Sequence, residues 1–173
     1  MSAASIRRPK NIIKNYRAMS RPKGGLSIVS VSMHNDEQTN NRVYRGKIVG
    51  VKDIAVNTAE LSIDVEMPFV YEPGQYVWIE LLEMKYPDER GSRRAFSLAG
   101  IPNDKNRIEV IFRNSDSGFK KTIAELGAGD EVNVVGPFGE SFCIPKESDT
   151  PIIMVAGGVG VTPFLSLIRS VIK

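Results

Sequence analysis

Cysteine and histidine are almost absent from this chain. Its 173 residues include one cysteine, Cys143, and one histidine, His34. A lone cysteine excludes an internal disulfide, and it excludes an iron–sulfur cluster held by thiolates of this chain alone. The same inventory supplies neither a zinc site nor a histidine-dependent triad. We therefore predict no metal site, expect Cys143 to be a core residue, and expect a bound cofactor to carry most of the chemistry.

Long apolar runs are also missing. No segment reaches the roughly 18 uncharged apolar residues that a membrane span requires. The most apolar stretch, residues 151–168, is interrupted by glycines and a proline. The first residues lack the apolar core of a secretory signal, and the single cysteine is typical of a reducing compartment. We expect a cytoplasmic protein with no transmembrane segment and no nucleic-acid partner.

Acidic residues are absent from the first 23 positions, which hold seven lysines and arginines. The remainder of the chain is mildly acidic. We interpret residues 1–42 as a basic, disordered leader with, at most, a short strand at 26–31. Two other interpretations stay open, namely an organelle-targeting segment and a contact with a membrane or an acidic protein.

A strand pattern begins at residue 43. Alternating polarity and β-branched residues predict strands at 43–51, 59–66, 76–82, 94–98, 107–113 and 131–135. Tyr76, Trp78 and Glu80 share one face of their strand, whereas Val77, Ile79 and Leu81 share the other. One helix is predicted at 119–126. Short antiparallel strands with turn signals predict a six-stranded antiparallel β barrel with one capping helix over residues 43–149.

The pattern changes at residue 150. Residues 152–156 form a continuous apolar run, as in a strand buried on both faces of a parallel sheet. A glycine-rich turn and a predicted helix at 163–172 complete the first β-loop-α unit of a nucleotide-binding domain over 150–173. One such unit is not a domain. We expect a missing C-terminal half or a partner chain to cover 152–156 and the face of Phe164, Leu165 and Ile168.

Three segments carry chemistry. In residues 157–163, glycines allow close approach to a phosphate, Thr162 suits an N-cap and Pro163 the first helical position, although Pro163 replaces the third glycine of the dinucleotide fingerprint. In residues 93–98, an arginine precedes an aromatic residue on the same strand face. In residues 113–122, a strand ends and a helix begins with two lysines. Alone, the glycine loop is a moderate signal whose alternative is a tight turn without a ligand, whereas the other two patterns are more typical of a surface cation–π pair and an ordinary capped helix.

Together and in this order, the motifs resemble those of the ferredoxin–NADP⁺ reductase superfamily over residues 43–173. The four matches are Arg94-Ala95-Phe96-Ser97-Leu98 to the flavin motif Arg-x-Tyr-Ser, Glu72-Pro73-Gly74-Gln75-Tyr76 to a barrel-strand signature, Gly136-Pro137-Phe138-Gly139 to the Gly-Pro-x-Gly turn, and Gly157 to Pro163 to Gly-Gly-x-Gly-x-Thr-Pro. Phe96 departs from the usual tyrosine. The diphosphate motif Gly-x-x-Ser has its last position at Lys121 or Thr122.

The resemblance implies residue-specific roles. Arg94 would contact the FAD diphosphate, Phe96 would stack on the isoalloxazine, and Ser97 would lie near flavin N5. The implied FAD-binding residues are Arg94, Ala95, Phe96, Ser97, Leu98, Ile111, Arg113, Gly118, Phe119, Lys120, Lys121 and Thr122. Gly158, Val159 and Gly160 would approach the nicotinamide nucleotide, Thr162 would face the flavin from the second domain, and Pro163 is a further implied cofactor-binding residue. Ser97 and Thr162 are the implied catalytic residues.

The implied function is an FAD-dependent oxidoreductase. It would pass electrons between NAD(P)H and a one-electron carrier such as ferredoxin, a haem or a quinone. Two alternatives stay open: an electron-transfer subunit of a larger complex, and a flavin-binding regulatory module without its own NAD(P)H oxidation. The intact protein would have a nicotinamide dinucleotide and a redox protein or quinone acceptor as partners.

Overall fold

The computed structural model describes residues 42–102, 104, 106–139 and 153–172. Within them lie β1 (Val43–Ala55), β2 (Thr58–Val65), β3 (Tyr76–Leu81), β4 (Arg93–Ser97), β5 (Arg107–Arg113), α1 (Gly118–Ala124), β6 (Glu131–Phe138), a 3₁₀ turn (Gly158–Val161) and α2 (Thr162–Val171). The predictions for the leader up to residue 41, for a strand at 26–31 and for Cys143 fall outside the described residues. No helix in these ranges is long and apolar enough to cross a bilayer.

The six strands form one antiparallel sheet in the order β4-β3-β6-β1-β2-β5. Its two outer strands meet where Leu98 pairs with Val110. Beside that pair, the Ala99 N–H donates to the Glu109 carbonyl at 2.8 Å. These contacts close the sheet, so the predicted six-stranded antiparallel barrel is confirmed.

The barrel core follows from alternation along the strands. Leu61, Ile63, Val77 and Ile79 have no exposed surface. Burying a side chain of this size contributes roughly 1.5–3 kcal/mol. The opposite face of β3 carries a smaller cluster of Tyr76, Val135 and Phe138, against which Trp78 and Ala95 pack. The two predicted faces of β3 are therefore confirmed.

Helix α1 adds its apolar side to the same core. Ser117 is its N-cap, and its hydroxyl accepts a hydrogen bond from the Lys120 N–H at 3.3 Å. Phe119 and Ile123 are fully buried in the barrel cluster. The helix ends before the turn at Gly127–Asp130, where Gly129 has a φ of 97°. This is the predicted capping helix, in a slightly shorter form.

The predicted strand at 152–156 is wrong over its described part. Residues 153–157 have no strand structure, and Ile153 and Val155 are 68% and 85% exposed. A parallel strand is stable only between neighbours, and none of the described segments pairs with this one. This run is an exposed apolar surface within the described residues.

Helix α2 forms as predicted but begins one residue early. Its N-cap is Val161, and Pro163 is inside its first turn. Thr162 is helical, and its hydroxyl donates to the Val159 carbonyl at 2.6 Å. Thr162 is therefore not the N-cap, because the preceding 3₁₀ turn supplies the helix start.

Helix α2 docks on the outer face of β2 and β5. Arg169 Nη1 donates to the Ala99 carbonyl and to Glu109, each at 2.9 Å, and its Nη2 lies 3.5 Å from Glu60. Within α2, the side chains of Ser166 and Leu167 are buried. Ile168, on the face of α2 that we expect a partner chain or further residues to cover, is 37% exposed.

Candidate cofactor site

Arg94 is a buried arginine with a fixed orientation. Alternation along β4 buries Arg94 and Phe96 and leaves Ala95 and Ser97 on the other side of the strand. The guanidinium Nη1 donates to the main-chain carbonyls of residues 90, 91 and 93 at 2.7–2.9 Å. Its Cζ lies 5.1 Å from the centre of the Phe119 ring. These contacts hold the guanidinium between β4 and the start of α1.

Asp88 is the counter-ion of Arg94. Its carboxylate pairs with Nη2 of Arg94, and the two side chains are only 6% and 10% exposed. It also accepts the N–H groups of Phe119 and Arg90, each at 2.9 Å. The amides of Phe119 and Arg90, followed by the Arg94 guanidinium, lower the pKa of Asp88. Sequence reasoning missed Asp88, because an aspartate six positions before an arginine is too common to be a signal.

Three phenylalanines and one lysine meet beside Arg94. The ring of Phe96 lies 6.3 Å from that of Phe112 and 6.0 Å from that of Phe119, centre to centre. The ammonium of Lys120 lies 4.4 Å from the centre of Phe96 and 4.5 Å from that of Phe112. The structure thus brings together four of the predicted residues, namely Arg94, Phe96, Phe119 and Lys120. It also covers the Phe96 ring with a cation.

The local environment destabilises the charged form of the Lys120 side chain. Burial lowers its pKa to about 8, and the positive charge of Arg94 acts in the same direction. Among the described residues, no acidic side chain forms an ion pair with it. A partly desolvated ammonium without a counter-ion is a common mark of a functional site.

An open cleft of about 470 Å³ lies beside Lys120. Its lining residues are Asn57, Asn114, Ser115, Asp116, Lys120, Lys121 and Ala124. Lys121 lies 3.4 Å from Asp116, and both side chains are well exposed. Two ammonium groups together with amide and hydroxyl donors suit an anionic ligand.

The amides at the start of α1 already have acceptors in the chain. The Phe119 N–H is bound to Asp88, and the Lys120 N–H to the Ser117 hydroxyl. The Lys121 N–H donates to the Ser117 carbonyl at 3.0 Å. The buried Thr122 hydroxyl accepts the amides of residues 85 and 86 at 3.2 and 3.4 Å. Of the two positions left open for the last residue of the diphosphate motif, only Lys121 lines the cleft.

The remaining predicted residues lie in three places. Ser97 pairs with Tyr76 on β3, and Ala95 packs on the outer cluster. Leu98 and Ile111 are buried in the barrel. Arg113, at the exposed end of β5, adjoins the glycine loop, since a Cβ at Gly158 would lie 3.3 Å from its Nη2.

The glycine loop itself is exposed from Gly158 to Gly160. Gly158 has a φ of 53°, which favours glycine. Thr162 is buried, with its hydroxyl bound to Val159, and Pro163 is half-buried. Within the described ranges, no hydrogen bond joins Ser97 to Thr162, the two predicted catalytic residues.

Individual known proteins resemble this chain in sequence and in fold. No family model matches the sequence. The electron transfer subunit of dihydroorotate dehydrogenase B (NAD⁺) from Lysinibacillus sphaericus is 34% identical over 128 residues, which cover 73% of this chain and 48% of that subunit. Phthalate dioxygenase reductase, a solved structure described as modular for electron transfer from pyridine nucleotides to [2Fe-2S], superposes with a TM-score of 0.60 at 27% identity, covering 73% of this chain and 39% of that one.

The chain belongs to the ferredoxin–NADP⁺ reductase superfamily. A superfamily member from Neisseria gonorrhoeae, a ferredoxin NADP⁺ reductase solved with FAD and NADP, shares the fold with a TM-score of 0.54 at 19% identity, covering 75% of this chain and 51% of that one. The chain spans less than half the length of the curated relatives that it matches, such as the Lysinibacillus sphaericus subunit. The six-stranded barrel matches the FAD-binding barrel of this superfamily, and Arg94, Phe96 and Lys120 meet within it.

Proposed function

We propose that the chain is the flavin-binding part of an FAD-dependent oxidoreductase, which passes electrons between NAD(P)H and a one-electron carrier such as ferredoxin, a haem or a quinone. The observation that carries the proposal is the convergence of Arg94 and Lys120 on the aromatic group of Phe96, Phe112 and Phe119. The names of its relatives support the same class, since they are reductases and electron transfer subunits.

The side chains at this site fit FAD by their chemistry. A diphosphate needs fixed cations, and a flavin needs an aromatic face. Lys120 is the stronger argument for an anionic cofactor, because its ammonium lacks an acidic partner among the described residues and is repelled by Arg94. An anion between these two cations would stabilise both charges. A neutral cofactor would leave that repulsion in place.

We assign the roles as follows. Arg94 and Lys120, with Lys121 at the cleft, hold the diphosphate, while Phe96 faces the isoalloxazine and Ser97 lies near flavin N5. The glycine loop at Gly158 to Gly160, followed by Thr162, approaches the nicotinamide. When bound, FAD accepts a hydride from NAD(P)H and releases electrons singly. Residues 43–149 form the FAD-binding domain, and 150–173 open the nucleotide-binding domain.

A flavin titration with a matched pair of variants tests the proposal. Arg94→Ala removes the buried guanidinium, whereas Arg93→Ala removes the same charge from the opposite side of β4, where Arg93 lies 4.7 Å over Trp78. We expect FAD to bind the wild type and its fluorescence to be quenched on binding. Arg94→Ala is expected to weaken FAD at least about tenfold, because a buried charge-assisted contact is lost. Equal FAD affinity in the two variants would reject Arg94 as a ligand.

A second candidate is an electron transfer subunit or regulatory module without its own NAD(P)H oxidation. The exposed apolar run at residues 153–157 favours it, because a partner chain would cover such a surface. Anaerobic addition of NADH or NADPH to the FAD-loaded protein separates the two. Bleaching of the flavin spectrum supports the oxidoreductase and rejects the second candidate, because that candidate has no NAD(P)H oxidation of its own.

A further inference from the structure

The carboxylate of Asp88 binds Arg94, which the proposed function assigns to the diphosphate, and the amide of Phe119, which the family resemblance places at the FAD site. It pairs with Arg94 Nη2 and accepts the Phe119 N–H at 2.9 Å. We propose that Asp88 is an intramolecular stand-in for the FAD diphosphate, and that FAD binds by exchanging this carboxylate for its diphosphate on Arg94. The inference rests on the proposed FAD function and adds a residue that limits FAD affinity.

The geometry favours exchange over simple addition. Arg94 Nη1 is committed to three main-chain carbonyls, so Nη2, which faces Asp88, carries the contact with an anion. Asp88 and Arg94 are almost fully buried. A second anion added beside this ionised carboxylate would be repelled by it. The diphosphate therefore takes the place of the carboxylate.

The segment that carries Asp88 is suited to such a movement. Residues 85–87 and 89–91 are exposed, and the segment lies against the start of α1. Its ties to α1 are contacts at the surface, from the Tyr86 hydroxyl and the Lys85 ammonium to Glu125. Two further ties are the amides bound to Thr122.

A titration of the full chain with FAD tests the exchange. Asp88→Asn keeps the shape of the side chain but removes its charge, and leaves Arg94 without a counter-ion in the free protein. FAD restores that counter-ion, so we expect Asp88→Asn to bind FAD about tenfold tighter than the wild type. Glu89→Gln is the matched control, because it removes the same charge from the neighbouring, exposed residue. We expect its FAD affinity to stay within about twofold of the wild type.

Equal or weaker binding by Asp88→Asn would overturn the inference, because Asp88 would then orient Arg94 rather than compete for it. If neither the wild type nor Asp88→Asn bound FAD, the proposed function would fail first. In that case, the binding of inorganic pyrophosphate tests the exchange independently of FAD. Tighter pyrophosphate binding by Asp88→Asn than by Glu89→Gln supports it, and equal binding overturns it.

Amide hydrogen exchange of the wild type gives a test that needs no variant. Asp88 accepts the N–H groups of both Arg90 and Phe119. After the exchange, the Arg90 N–H has lost its acceptor, whereas the diphosphate replaces the acceptor of Phe119. We expect saturating FAD to speed exchange at Arg90 at least about tenfold and to leave Phe119 protected. Unchanged protection at Arg90 would overturn the inference.

Discussion

The ammonium of Lys120 lies 4.4 Å from the centre of the Phe96 ring, on the aromatic residue to which the family resemblance assigns the flavin. Cation–π contacts to Phe96 and Phe112 offset part of the cost of its burial. The lowered pKa of about 8 shows that they do not offset all of it. Lys120 is therefore a residue that the fold tolerates and that an anionic cofactor would stabilise.

Lys120→Met tests this account by separating stability from binding. Methionine has a similar length and no charge, so the free protein loses a desolvated cation. We expect the free energy of unfolding of the cofactor-free protein to rise by about 1 kcal/mol, and FAD affinity to fall about tenfold. Lys52→Met is the control, since Lys52 is an exposed lysine of β1 with no assigned role in FAD binding. Thermal unfolding and FAD titration measure both effects. A Lys120→Met protein that binds FAD as the wild type does would contradict the assignment.

The pH dependence of FAD affinity follows from the same lysine. Its pKa is about 8 in the free protein, and a bound anion raises it, so binding takes up a proton above pH 8. FAD affinity is then full below the free-state pKa and falls as the pH rises above about 8. Asp88, with its lowered pKa, stays ionised, and Tyr71, with a pKa of about 12, stays neutral. Lys120→Arg should flatten the profile, because arginine does not titrate in this range.

The folding stability of the free protein should change in the opposite direction with pH. The pKa of Lys120 falls from 10.5 to about 8 on folding, so the unfolded chain binds more protons between these values. Stability therefore contains the full penalty below pH 8 and rises toward pH 10.5. Denaturant unfolding of the wild type and Lys120→Met across this window measures the difference. A difference between the two proteins that does not change with pH would contradict the low pKa.

Gly118 is required by the close approach of the Asp88 segment to α1. A Cβ at this position would lie 2.2 Å from the Pro87 carbonyl oxygen and 2.6 Å from that of Tyr86. We expect Gly118→Ala to push the segment off the helix and to lower the free energy of unfolding by about 2–3 kcal/mol. Gly127→Ala is the control, because its Cβ would meet no atom within 4 Å. Similar thermal midpoints for the two variants would disprove the clash.

Arg169 determines where α2 sits on the barrel. Its contacts to Glu60, Glu109 and the Ala99 carbonyl fix the helix, and through it the glycine loop beside Arg113. Arg169→Met should lower the free energy of local opening of α2 by about 1 kcal/mol. This is measured as faster amide exchange at residues 162–171. Arg45→Met removes a surface pair to Glu131 and should leave α2 unchanged. Exchange rates in α2 that respond equally to both variants would argue against the clamp.

The sequence predicts the barrel well because alternation is a local signal. The two faces of β3 and the presence of a helix near residue 119 follow directly from residue types, although the helix begins one residue before its predicted start. The turn at Val56–Asn57, to which β1 extends beyond its predicted end at residue 51, was missed, although Asn57 at a φ of 53° is a residue type that favours such a turn.

The candidate site is less predictable because its contacts are tertiary. The Arg94–Phe96 spacing indicates a shared face, but the partner of Arg94 comes from a loop and the cover of Phe96 from a helix. The strand predicted at 152–156 depends on neighbouring strands that the described residues do not supply. Pattern alone marks such a run as apolar, and only its surroundings decide whether it forms a strand.

The position of FAD on the chain tests the central claim most directly, and a crystal structure of the FAD-loaded protein measures it. The account predicts that the diphosphate lies within hydrogen-bonding distance of Arg94, with the Asp88 carboxylate displaced and the Lys120 ammonium moved off the Phe96 ring onto the diphosphate. A diphosphate bound away from Arg94, with Asp88 and Lys120 where they are now, would contradict it.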